Sequence, residues 1–330
     1  MTTTPDQTAA AIVGAGLMGR HHARAAAMAG ARVAAIFDAN GSAAAALSAR
    51  HPGSRVVSAL EEIRGMASVA HVCTTVETHA TTATVLLDAG LHVLVEKPLA
   101  ASPAETDLLM SRAMAAGRLV CPVHQFPFQR GVRQAVGALD AVGPVLHFDF
   151  IISTAGAATE ADRSSLVETL LPHPLSLIEV FLPGSLTELR WRVLRPRAGE
   201  LRAFSSSDSA SVSILLSTRG RPTTNALTLL CERGTIAIDL FHAFCVVESG
   251  GVSKAKKIAR PIVRSAATLS AATRNLVWRA ARGQTAFPGL NELTALFYEA
   301  VAGGGASPIS QSEILNVAAA RQHILDASTN

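Results

Sequence analysis

Three short stretches hold residue types able to handle a diphosphate, a charge or a proton. "GAGLMG" places glycines at 14, 16 and 19. "HVLVEKPLA" (His92 to Ala100) ends an apolar run in the adjacent opposite charges Glu96 and Lys97, followed by Pro98. "SLVETLLPHPLSLIEVFLPG" carries Glu168, Thr169 and His173. Closely spaced glycines let a backbone turn tightly and approach a pyrophosphate. A lysine is a flexible positive donor, and a histidine exchanges a proton near neutral pH. Each feature also has a plain reading. The glycines could be incidental in an alanine-rich βαβ unit, Lys97 could pair with Glu96 or cap a helix, and His173 could be a satisfied core residue.

The elements that would position these residues are legible. Ala9 to Val13 is an apolar run, the glycine turn follows, and an alanine-rich helical segment continues to Gly30. "RVAAIFD" then ends in Asp38, 19 residues beyond Gly19. Strand, glycine turn, helix, strand, acid is the dinucleotide-binding pattern. The phosphates would sit at the helix N-terminus, where unpaired N–H groups and the helix dipole favour negative charge. Asp38 is placed to accept from the adenosine ribose hydroxyls. Ala39 and Asn40 follow it, with no arginine to meet a 2′-phosphate, which argues for NAD over NADP.

The alternation continues through "SRVVS", "VAHVC", "LHVLVE" and "GRLVCPV", which read as buried parallel strands. A helix from Thr78 to Ala89 stops at Gly90, and "SPAE" at Ser102 to Glu105 caps another. In a doubly wound sheet, ligands bind beyond the carboxyl ends of the strands. Thr74, Thr75 and His79 follow one strand end, and Glu96 and Lys97 another. With Gly14, Gly16, Leu17, Met18, Gly19 and Asp38 they form the expected cofactor-binding set.

Composition narrows the class. The 330 residues suffice for about two domains. Apolar residues make up 49% and charged residues 16%, with mean hydropathy +0.31, which describes a packed protein and excludes a disordered one. No run approaches the ~18 apolar residues of a membrane span. "MTTTPDQT" lacks the blocks of a signal peptide. Cys73, Cys121, Cys231 and Cys245 lie far apart, which predicts reduced thiols in a cytoplasmic protein, with no disulfide framework and no metal site. Net charge is +4, and much of the excess lies in "SKAKKIARPIVR" (Ser253 to Arg264). That run reads as a solvated loop, or as an attraction for an anionic partner such as a diphosphate-bearing substrate or a membrane surface. No aromatic platform accompanies it, which argues against nucleic acid.

"GAGLMG", "VCTTVETH", "LLDAGLHVLVEKPLA" and the later "HP" helix together resemble the glucose–fructose oxidoreductase / inositol dehydrogenase family (Gfo/Idh/MocA). The resemblance covers the N-terminal half almost throughout, and the second half in layout only. It implies an α/β chain: a Rossmann NAD-binding domain over 1–123, then an α+β domain over 124–330 with an open, mostly antiparallel sheet. The last helix, about 310–326, would pack back on the Rossmann domain. It further implies an NAD(P)-dependent oxidoreductase acting on a sugar, cyclitol or nucleotide-sugar hydroxyl. In the family the E-K-P lysine reaches the reacting oxygen and its proline is often cis, so Lys97 is the first candidate for a catalytic residue. His173 is the second.

Two departures from the family pattern bear on that role. The family carries Asp four residues before the active-site His, on one helical face. Here Thr169 stands four before His173, Glu168 is one place off, and Pro172 would bend the helix. Glu168 swinging in, Thr169 sufficing, and Lys97 acting alone all remain open, as does a chain that binds a ligand without catalysis. Where the family has an N-x-R-F-like stretch, this chain has "VHQFPFQRG". There His124, Gln125, Phe126 and Arg130 are candidate substrate contacts together with Thr169, Arg130 for an anionic group.

From Pro144 onward, "PVLHFDFIIS", "LTELRWRVL", "ASVSILLS", "TNALTLLCE", "GTIAIDL" and "AFCVVES" read as antiparallel strands without intervening helices. Helices are expected over 266–282, 288–302 and 311–326, with Gly303 to Gly305 as a link. The outer sheet face is expected to pair with another copy of the chain. The leading function is hydride transfer between NAD and a sugar-like substrate. A silent ligand-binding protein, and a non-redox enzyme using bound NAD transiently (epimerase or glycosidase type), are the alternatives.

Overall fold

The computed structural model describes residues 8–156, 159–251, 253–284 and 286–328. The chain divides into two compact units, 1–123 with 290–318, and 124–289 with 319–330. The first boundary falls at Val123/His124. The segment that returns to the first unit differs from the expected last helix: it includes the helix Leu290–Gly303 and stops at Ala318, partway along the helix Gln311–Ala327.

The first unit is a parallel sheet of β1 (Ala9–Val13), β2 (Arg32–Phe37), β3 (Arg55–Val56), β4 (Val69–Val72), β5 (His92–Val95) and β6 (Val120–Pro122). Its order is β3-β2-β1-β4-β5-β6, the doubly wound arrangement that reverses direction between β1 and β4. Helices α1 (Leu17–Met28), α2 (Gly41–Ser48), α3 (Val76–Asp88) and α4 (Pro103–Ala115) connect the strands. The strands are buried on both faces and therefore read as continuous apolar runs. Alanines at 23, 25 and 26 are fully buried, and Ala23 packs with Ile12, Val33 and Ile36, so α1 lies close to the sheet. The start and stop chemistry is local. Asn40 caps α2 by accepting from the Ser42 and Ala43 amides, Ser102 caps α4 by accepting from the Glu105 amide, and Gly90 leaves α3 with φ of 88°.

The second unit holds α5 (Arg130–Val142), β7 (Val145–Ser153), α6 (Glu160–Leu170) and α7 (Pro172–Phe181). Strands β8 (Arg192–Leu194), β9 (Glu200–Ser206), β10 (Ser211–Ser217), β11 (Thr224–Cys231), β12 (Gly234–Asp239) and β13 (Phe244–Ser249) follow, then α8 (Lys254–Ala281). The sheet order is β13-β12-β11-β7-β10-β9-β8. All pairs are antiparallel except β7 with β10, which α6 and α7 separate in sequence. One sheet face carries Phe148, Phe150, Ile214, Leu227, Leu229 and Ile236, all buried; Leu194, Phe204 and Leu230 on the other face are exposed. Helix α9 (Leu290–Gly303) packs on α1, and α10 (Gln311–Ala327) closes the chain.

Three expectations change. Strand β9 was not anticipated, and "LTELRWRVL" forms a strand only over its last three residues. The basic run Ser253 to Arg264 is no loop: α8 begins at Lys254, and Arg260 and Arg264 both pair with Glu248 of β13. The single bent helix expected around His173 is two helices, because α6 ends at Leu170 and α7 starts at Pro172. Among the described residues no helix is long and apolar enough to cross a membrane, and no cluster of three metal-ligating side chains occurs.

Candidate active site

The three glycines of the first turn do three separate jobs. Gly14 ends β1 with φ of 95°, and a Cβ there would stand 2.6 Å from the Cys73 carbonyl oxygen after β4. A Cβ on Gly19 would stand 1.8 Å from the Gly14 carbonyl oxygen, so α1 folds back onto its own entry turn. Gly16, the N-cap of α1, has nothing within 4 Å of where its Cβ would be. Its backbone is open to an approaching group, as the N–H groups of a phosphate-binding helix start must be. Leu17 beside it is 58% exposed, and Met18 is half-buried.

Asp38 closes β2 at the same end of the sheet. Its Oδ2 accepts from the Ala15 amide at 2.6 Å and its Oδ1 from the Asn40 amide at 2.7 Å. A carboxylate offers about four lone-pair sites, so two remain for a vicinal diol. Open Gly16, the helix start and the spare Asp38 acceptors together fit a dinucleotide.

Beyond β4, the Thr78 hydroxyl donates to the Thr74 hydroxyl at 2.9 Å, and Thr75 is the N-cap of α3. His79 sits differently from the expectation. It is 1% exposed, with Nδ1 2.8 Å from the Pro98 carbonyl oxygen and Nε2 3.1 Å from that of Thr74. Both ring nitrogens face carbonyls, so His79 braces the β5 turn against the β4 turn rather than presenting a group to a ligand.

Glu96 and Lys97 follow β5, and the Lys97–Pro98 peptide is cis. Glu96 is buried, its Oε1 held by His22 Nε2 at 3.0 Å and its Oε2 accepting from the Lys97 amide at 3.1 Å. It too is turned inward, away from the cofactor-contact role expected of it. Burial works against its charge, but the His22 bond, the neighbouring charges and the Lys97 amide together hold the carboxyl below its ordinary range. Half-buried Lys97 is shifted downward by desolvation, which the Glu96 charge partly offsets. The Cys73 thiol next to this pair is pushed well up by burial and by Glu96.

In the second unit, His124, Gln125 and Phe126 are all buried. The Phe126 ring stacks on His173 with centroids 4.2 Å apart and planes 11° from parallel. The sequence placed both residues at a site without linking them. Arg130 is half-buried and lines a small cavity with Gln134, Arg274 and Asn275. It lies over the Trp278 ring at 5.0 Å, with Arg282 over the same ring at 4.8 Å. Its neighbour Gly131 is pressed on the Ala243–Phe244 backbone, and its amide donates to the Ala243 carbonyl. The Thr169 hydroxyl donates to the Leu166 carbonyl within α6 at 2.8 Å, and Glu168 pairs with Arg195 at 3.0 Å.

The sequence reading missed three residues tied to this turn. His22 on α1, His71 in β4 and Tyr298 on α9 join Glu96 in a buried chain of hydrogen bonds. The available signal was a pair of histidines at the head of the alanine-rich "HHARAAA" and one histidine inside the apolar run "VAHVC".

The fold and turn of the first unit define an NAD-binding Rossmann domain. Residues 8–124 match the family model GFO_IDH_MocA, described as an oxidoreductase family with an NAD-binding Rossmann fold. No curated protein sequence matches the chain. Among solved structures, UDP-N-acetylglucosamine 3-dehydrogenase GnnA from Acidithiobacillus ferrooxidans is similar at TM-score 0.76 and 17% identity, over 97% of each chain. The WlbA dehydrogenase from Bordetella pertussis, in complex with NADH and UDP-GlcNAcA, is similar at 0.77 and 17%, over 99% of this chain and 96% of that one. Levoglucosan dehydrogenase with NADH and levoglucosan gives 0.76 and 15%, over 98% and 97%. At these identities the likeness is one of fold.

Proposed function

We propose that the protein is an NAD-dependent oxidoreductase acting on the carbinol or ketone carbon of a sugar-like substrate. The observation that carries this reading is Lys97, held just past the carboxyl end of β5 by a buried, doubly hydrogen-bonded Glu96. Bound NAD or NADH would accept or donate the hydride. Lys97 would donate a hydrogen bond to the substrate oxygen as charge develops on it, and His173 would take up or return the hydroxyl proton. Asp38 would favour the dinucleotide without a 2′-phosphate, because a second negative group beside it is repelled. The substrate class is drawn from the neighbours, which act on or hold UDP-GlcNAcA, UDP-N-acetylglucosamine and levoglucosan. The exposed Leu194, Phe204 and Leu230 support pairing of the open sheet face with a second copy. A cytoplasmic location agrees with four free thiols.

The α6–α7 break favours a second reading. With Glu168 paired to Arg195, no carboxylate stands one turn before His173 on its own helix. A chain that binds NAD and a ligand without catalysis needs no base at that position. Incubation with NAD and a panel of sugars, cyclitols and nucleotide sugars, followed by reduced-nicotinamide absorbance, separates the two. Lys97→Ala is expected to lower turnover by roughly 10²–10⁴-fold and His173→Ala by less. NAD binding with neither product nor absorbance change on any substrate would move the assignment to the second reading; a Lys97→Ala variant as active as the parent would end the first.

A further inference from the structure

The chain of buried groups behind Glu96 has a direction. His22 Nε2 lies 3.0 Å from Glu96 Oε1, His22 Nδ1 lies 2.9 Å from His71 Nδ1, and His71 Nε2 lies 2.9 Å from the Tyr298 hydroxyl. His22 and His71 are fully buried, and Tyr298 is 5% exposed. The His22 and His71 rings meet edge to face, at 84°.

The proton positions follow from which atoms can donate. An ionised carboxylate only accepts, so His22 Nε2 carries the hydrogen. His22 Nδ1 is the acceptor when the one hydrogen of neutral His71 stands on Nδ1. His71 Nε2 is left as acceptor, and the Tyr298 O–H donates to it. That hydroxyl has no other hydrogen-bond partner among the described residues, so the opposite polarity would strand a buried donor. All three bonds therefore point at Glu96.

We propose that His22, His71 and Tyr298 are positioning residues that orient the Glu96 carboxylate and, through it, set the charge state of Lys97. The proposal rests on the reading that Lys97 is the acting lysine. Four elements, α1, β4, α9 and the β5 turn, each supply one member, so the carboxylate is fixed from the domain core rather than from the loop it ends. Chains of hydrogen bonds polarise one another where water is absent. The other titratable groups facing these are Lys97 and Cys73 at Glu96, and His21 beside His22 on α1. Burial keeps His71 neutral, well below the ordinary histidine range, as the bond polarity needs.

The test needs no substrate. Long-range ¹⁵N–¹H NMR on the full chain with labelled histidine should show opposite tautomers, hydrogen on Nε2 of His22 and on Nδ1 of His71. Lys97 is one of only four lysines, so its acylation by acetic anhydride can be followed against pH by mass spectrometry. His22→Leu should move the midpoint of Lys97 acylation to lower pH by about one unit, because Glu96 loses its donor and Lys97 its counter-charge. Tyr298→Phe should move it the same way by less, and His22→Gln, which can both donate and accept, should restore it. Identical tautomers, or a Lys97 midpoint unmoved in both His22→Leu and Tyr298→Phe, would overturn the proposal. Should His22→Leu not fold, the tautomers and Tyr298→Phe decide. Absent turnover on every substrate would count against the catalytic reading of Lys97 while leaving these readouts in force.

Discussion

Gly16 and Gly19 lie three residues apart, and alanine at each should give opposite results. Gly16 has φ of −68° in an extended conformation and empty space where a Cβ would go. Gly16→Ala should therefore leave the free protein intact, and raise its stability by about 0.4–1 kcal/mol through the lost freedom of the unfolded chain. That is a rise in Tm of roughly 1–4 °C for a unit of this size. The same methyl stands where a pyrophosphate must approach the helix start. Losing one charge-assisted hydrogen bond costs about 1.5–3 kcal/mol, or roughly ten- to hundredfold in Kd. Gly19→Ala instead puts a Cβ 1.8 Å from the Gly14 carbonyl oxygen, and that oxygen is backbone and cannot swing away. The helix must shift, at a cost of about 3 kcal/mol or more and roughly 6–12 °C in Tm. Thermal unfolding with and without NAD reads both terms, since ligand at 100 times its Kd stabilises by about 2.7 kcal/mol. The expected pattern is a Gly16→Ala protein that melts no lower than its parent and gains little from NAD. A Gly16→Ala protein that binds NAD as its parent does would refute the placing of the cofactor at this turn.

Three further outcomes follow from particular contacts. Asp38→Ser removes the charge that disfavours a 2′-phosphate, and the ratio of NADP to NAD dissociation constants, measured by calorimetry, should fall by about tenfold or more; an unchanged ratio would separate Asp38 from cofactor choice. His71 stays neutral when folded but takes up a proton near pH 6.5 when unfolded, so the unfolded state binds more protons below that value and stability falls with falling pH. His71→Phe should lower stability at pH 7 but shrink the loss between pH 6.5 and 5 by about 2 kcal/mol, as read from urea midpoints; a parallel loss in both proteins would contradict a neutral His71. Trp278→Leu keeps an apolar side chain but removes the ring under Arg130 and Arg282, and should cost about 1–2 kcal/mol in urea unfolding.

What could be read from the sequence, and what could not, divides along a physical line. Gly14, Gly19 and Asp38 were legible because their jobs depend on backbone: a positive φ, a missing Cβ, and an acid at a strand end two elements on. Lys97–Pro98 was legible because the segment around it is distinctive as a string. The stacking of Arg130 on Trp278 was not legible, because the indole lies 148 positions later and no local pattern announces it. The same holds for Tyr298, which reaches His71 across 227 positions from a helix whose own pattern is merely amphipathic. His79 misled for a subtler reason. Its position after β4 is right for a ligand contact, but a ring between two carbonyls is already spent, and only coordinates show the second carbonyl arriving from Pro98. Glu168 belongs to this group as well, since the arginine that claims it comes from position 195. Local chemistry in this chain thus marks which side chains stand at the strand ends, while long-range pairing decides which of them are already engaged. The placing of Lys97 draws on both: a turn recognisable by eye, and behind it a carboxylate whose orientation depends on a tyrosine near the other end of the chain.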